Sequence, residues 1–196
     1  MPPIHAIDRL NELLCLIELR KTARHLANGN YARAIVEWAE EAVIAGNNSE
    51  PLLILASLGL DATPNEDEIR DYLGRFMAEA GLVYPGPNVS ALVWLRTELT
   101  QLLKHKTVEH TEAHLAFFSI NSMDYGPPFF TKICRHLNWL YYYLFDDYGG
   151  GYPSTVSTLI EAELLTIVQK EVTPYALVLS KDQWLSWLAD EPLPNR

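Results

Sequence analysis

The chain has 196 residues, 48% of them hydrophobic and 20% charged, with a formal net charge of −10. This length and apolar content suit one domain with a substantial core, the opposite of a disordered composition. An acid excess without a basic stripe lacks the charge that neutralises phosphates, so direct nucleic-acid binding is set aside and a basic protein becomes the natural partner.

The opening MPPIHAIDRL carries polar residues throughout, which is not a leader pattern, and no uncharged apolar run is long enough to span a bilayer. The expected location is cytoplasmic, away from membranes. Ile7, Leu10, Leu14 and Ile17 recur at helical spacing, which predicts a first helix over about residues 5–27, stopped at Asn28-Gly29. Asn30 is placed to cap a second helix with Ile35, Trp38, Ala42 and Val43 inward and a stop at Gly46. Ser49 is placed to cap a third, LLILASLG, which is apolar on most sides and hence central.

Thr63-Pro64-Asn65-Glu66 has capping-box spacing with Pro at the first helical position, and Ile69, Tyr72, Leu73, Phe76 and Met77 follow as a buried stripe that stops at Gly81. Residues 82–88, LVYPGPN, form a connector that reads as an internal loop. Val89 to Ser122 lacks Gly and Pro, leaving open one long helix or two joined near Lys106–Val108. Pro127-Pro128 opens the next helix and Gly149-Gly150-Gly151 closes it; a further helix covers about 154–171. Ser180-Lys181-Asp182-Gln183 is a second capping-box match ahead of a short last helix with Trp184 and Trp187. Only Tyr175–Leu179 has strand character, and it has no evident strand to pair with. Residues 192–196 read as a loose tail. The prediction is all-α, eight or nine helices in a single irregular bundle spanning 1–196.

Cys15 and Cys134 fall in apolar helical patterns and read as buried reduced thiols. His110 and His114 lie one turn apart, a workable metal pair, yet Glu112 stands midway, where neither zincin order puts its glutamate, and no third ligand is evident. No cofactor is expected. In the acidic cluster Glu66, Asp67, Glu68 and Asp71, a helix dipole that favours acids in its first turn explains Glu66 to Glu68, or alternatively the acids form a patch facing a partner.

The most suggestive stretch is HLNWLYYYLFDDYGGGYP, residues 136–153. On a helical wheel Phe130, Ile133, Cys134, Leu137, Tyr141, Leu144 and Tyr148 share a core side, flanked by Leu140 and Phe145. The opposite side holds Lys132, Arg135, Trp139, Tyr142, Tyr143 and Asp146, where an ordinary solvated helix carries Lys, Glu and Gln. Either a neighbour such as the Trp184/Trp187 helix covers this side, or it binds a protein or a small ligand, since Trp, Tyr and Arg are the residues enriched in binding hot spots.

Residues 30–81, through NYARAIVEWAEEAVIAGNNSEPLLILASLG and the acidic helix behind it, resemble segments of small helical immunity proteins of bacterial toxin systems. The likeness rests on Trp38, Gly46, Ser49, the Leu52–Leu58 run and Gly59. It implies a cytoplasmic protein that neutralises a toxin, often a basic nuclease, by covering its surface, and it carries over no individual contact residue. The sequence therefore yields two expectations. The first is a non-enzymatic binding protein using Arg135, Trp139, Tyr142, Tyr143 and Asp146, with Asp67 and Asp71 adding attraction. The second is a small metal-dependent hydrolase using His110 and His114 with a nearby carboxylate.

Overall fold

The computed structural model describes residues 4–26, 31–60, 65–121, 126–145 and 159–190, with side chains from residue 9 onward. Among these residues every regular element is helical: α1 (Ile4–Thr22), α2 (Tyr31–Ile44), α3 (Glu50–Ser57) running into a 3-10 turn (Leu58–Leu60), α4 (Glu66–Ala80), α5 (Pro87–Leu102), α6 (Val108–Ile120), α7 (Pro128–Phe145), α8 (Glu161–Leu179) and α9 (Asp182–Ala189). The fold is all-α. Contacts divide the chain into two compact units, residues 1–90 and 91–196, with the boundary in the first turn of α5.

In the first unit α2 packs on α1 and α3, and α4 closes against α3 and α2. The inward stripes meet as predicted: Leu10 and Leu14, Ile35 and Trp38, Leu52 and Leu55, Ile69, Leu73, Phe76 and Met77 form one core, in which the Trp38 ring meets Phe76 edge-on at 5.4 Å. Burying side chains of this size contributes roughly 1.5–3 kcal/mol each. Gly81 ends α4 in the left-handed conformation, φ 66°, and the Leu82 N–H then reaches the Met77 carbonyl at 2.8 Å.

In the second unit α6 packs against α7, α8 lies against α6 and α7, and α9 contacts α8. Trp94 of α5 meets the rings of Phe117, Phe118 and Phe130 at 6.0–6.2 Å. Cys15 and Cys134 are buried thiols, and burial pushes the Cys134 pKa far up.

Several local expectations are corrected. The cap of α4 is Asn65, whose side chain accepts from the Asp67 N–H at 2.9 Å, rather than Thr63. A helix begun at Asn65 keeps Glu66, Asp67 and Glu68 in its first turn, where the dipole favours them. Ser180 ends α8, its Oγ donating to the Leu177 carbonyl, and Lys181 precedes α9, so no capping box forms there. Tyr175–Leu179 is helical, continuing α8 through Pro174. Ser49 stands at the N-cap of α3 without a side-chain bond to the helix. Of the stretch 89–122, the described residues 89–121 hold two helices, because Thr107 caps α6 by accepting from the His110 N–H. Tyr141 is half-buried, and Leu140 is fully buried in place of a flank. Asn28-Gly29, Asn30, Thr63, Asp146, Tyr148, Gly149–Gly151 and the tail 192–196 lie outside the described residues.

Candidate functional site

Helix α7 has two unlike faces. Phe130, Ile133, Cys134, Leu137, Leu140 and Leu144 are buried. On the other side Trp139, Tyr142 and Tyr143 remain 51%, 48% and 46% exposed, with Lys132 and Arg135 exposed one to two turns before them. These percentages decide between two readings of the stretch, because a ring packed under a neighbour would be nearly dry. The α9 helix is not a cover: Trp184 and Trp187 meet each other at 5.4 Å, Trp187 is itself 66% exposed, and among the described residues no α9 ring stacks on α7.

The exposed rings are held in order by one another. Trp139 and Tyr143, one turn apart, stack at 5.0 Å and 11°, and His136 stacks on Trp139 at 5.4 Å and 28°. His136 also meets Tyr175 of α8 edge-on at 5.5 Å, and its Nε2 lies 3.2 Å from Glu171 Oε2, within ion-pair reach but off the hydrogen-bond line. The result is a row running Tyr175, His136, Trp139, Tyr143 across two helices. A stack of i,i+4 aromatics also steadies the helix by about 0.2–0.5 kcal/mol, which is a structural role, but that role does not require half of each ring to stay wet. Row order limits rotamer freedom before any partner arrives, so less entropy is lost on binding.

Of the residues singled out from sequence, α7 brings together Arg135, Trp139, Tyr142 and Tyr143. Asp67 and Asp71 are exposed on α4 in the other compact unit, Asp67 pairing with Arg70 at 2.9 Å. His136, Glu171 and Tyr175 were missed. The spacing on α7 could have flagged His136, one turn from Leu140 and three residues from Trp139, but Tyr175 was hidden by the strand-like reading of its segment.

His110 and His114 make hydrogen-bond contacts with different partners. The His110 ring nitrogen Nδ1 sits 2.8 Å from Thr107 Oγ1. His114 is instead threaded between Glu98 Oε2, 2.9 Å from its Nε2, and His105 Nε2, 2.9 Å from its Nδ1. His105 and Glu98 are thus the partners that sequence spacing did not reveal. Burial first, then His114 and His110 nearby, holds the His105 pKa below the ordinary imidazole range. Among the described residues, no group of three or more His, Cys, Asp or Glu side chains is arranged to hold a metal ion, and no helix is long and apolar enough to cross a membrane.

Comparison of the chain with models of known protein families, with curated proteins and with solved structures finds no match.

Proposed function

We propose that this chain is a non-enzymatic protein-binding protein whose working surface is the aromatic face of α7, and that its partner is a basic protein, in the manner of an immunity protein covering a bacterial toxin domain. The observation that carries the reading is the half-exposed face of Trp139, Tyr142 and Tyr143 opposite a buried stripe. Large rings held in place on a rigid helix bury much area for little lost freedom, which is the chemistry of an interface hot spot. The net charge of −10 supports a basic partner, since opposite charge accelerates encounter.

A photo-crosslinking side chain in place of Tyr142 tests this in the cell of origin. The expected result is one dominant adduct with a basic protein, lost when Trp139→Ala is added. A crosslinker at Tyr142 that yields no dominant adduct, or only a species that a crosslinker at an unrelated exposed position such as Leu60 also yields, would contradict it.

The hydrolase reading gains one observation, the Glu98 carboxylate beside His114. The same contact weighs against it, because Glu98 and His105 engage both ring nitrogens of His114, leaving neither for a metal. Elemental analysis decides: about one zinc, manganese or iron per chain, lost in the His110→Ala, His114→Ala double variant, would restore the enzyme reading.

A further inference from the structure

Within the first unit, α1, α2 and α4 leave a cavity of about 570 Å³, in the range of small-molecule sites. Its floor is apolar: Ile35, Ile69 and Leu73 belong to the core, and the half-buried Ile17 and Ala32 line the wall. The rim is cationic, against the sign of the chain as a whole. Arg20, Lys21 and Arg70 border the opening, with Glu66 the one acid lining it among the described residues. Lys21 and Arg70 each touch an acid three residues away on the same helix, Glu18 and Asp67, in exposed pairs that exchange readily with a ligand anion. Arg20 lies over the Tyr31 ring at 5.8 Å, and among the described residues no carboxylate pairs with it. Lys21 similarly lies over Tyr84 at 5.1 Å, so two tyrosine rings flank the opening with a cation on each.

Gly74 is an independent pointer. It lies inside α4, where glycine is less favourable than alanine, and a Cβ there would meet nothing within 4 Å. Packing within the protein gives no reason for its missing side chain. The residue lines the cavity, so the absent side chain keeps one wall open.

We infer that this cavity binds an amphipathic organic anion, its apolar body on Ile35, Ile69 and Leu73 and its carboxylate or phosphate head at Arg20, with Lys21 and Arg70 completing the anion's surroundings. The cavity belongs to the first unit and the α7 face to the second, and the two readings rest on different residues.

The test uses the full chain and four probes: the fluorescent anion anilinonaphthalene sulfonate, displaced in turn by decanoate, decyl phosphate and uncharged decanol. Both anions are expected to displace the dye about tenfold more effectively than decanol, as a charge-assisted hydrogen bond allows, and their order identifies a carboxylate or a phosphate head. Arg20→Gln, an exposed change that leaves the core intact, should remove most of the anion advantage and leave decanol unaffected. Gly74→Leu, whose Cβ meets nothing within 4 Å and whose side chain adds bulk to the cavity wall, should abolish displaceable dye binding while circular dichroism stays unchanged. Equal action of decanol and decanoate overturns the inference. So does dye binding that survives Gly74→Leu in the folded variant, binding indifferent to Arg20→Gln, or a dye signal lost in Trp139→Ala instead.

Discussion

Protonating His105 would place a positive charge beside His114 and His110 in partly buried surroundings, with the Glu98 carboxylate one ring further away, beyond His114. A base held below its ordinary pKa takes up its proton less readily in the folded chain than in the unfolded one. Its stabilising contribution is therefore complete above the ordinary imidazole pKa, near 6.5, and is lost as pH falls through the lower folded value. Melting temperatures between pH 7.5 and 5 should drop more steeply for the natural chain than for His105→Gln; parallel curves would contradict this role. The i,i+4 spacing of His110 and His114 was legible, but His105 comes from the turn after α5, where no periodicity points at a partner. Spacing along one helix predicts which residues share a face, and it cannot predict which ring from a loop will arrive there.

Helix α7 shows how far an element can be read from its sequence. A period of 3.6 separates its apolar stripe from Arg135, Trp139, Tyr142 and Tyr143, and the structure buries the first set and leaves the second exposed. The energetic consequence is asymmetric. Leu137→Ala should cost about 2–5 kcal/mol in denaturant unfolding, whereas Trp139→Ala should cost less than about 1 kcal/mol, since only a surface stack is lost. Equal losses would show that the aromatic side is packed core. Helix α8 was not legible in the same way. Pro174 ordinarily marks a boundary, and the aromatic and β-branched YALVL behind it suits a strand, yet the helix continues to Leu179. Buried Val168, Val172 and Leu179 hold it, so tertiary packing overrides the local preference. Pro174→Ala restores an N–H for the Lys170 carbonyl and removes the ring's clash, and should raise stability by about 1–3 kcal/mol; a loss of stability would mean that the proline shapes a bend the fold needs.

For the whole molecule, periodicity gave the all-helical class and a count of eight or nine, of which the described residues show nine. It did not give the division into units at residue 90, because a buried stripe records that a helix is covered and leaves its neighbour unnamed. Nor did it give the cavity of the first unit, whose walls come from three helices, α1, α2 and the more distant α4. Net charge, by contrast, is fully present in the sequence and acts at a distance. Asp67→Asn with Asp71→Asn should slow association with a basic partner and flatten its salt dependence, leaving dissociation nearly unchanged, because exposed charges steer encounter more than they hold a complex; stopped-flow kinetics at two salt concentrations read this directly.

The central claim is that Trp139 serves a partner and not the fold. Calorimetric titration of the protein crosslinked through position 142, once purified, against the natural chain and Trp139→Ala measures this most directly, with melting temperatures taken on the same samples. The account predicts that Trp139→Ala weakens binding by more than about 2 kcal/mol, roughly thirtyfold, with the melting temperature essentially unchanged. An unchanged affinity together with a lowered melting temperature would contradict it and make the aromatic row a structural feature of α7.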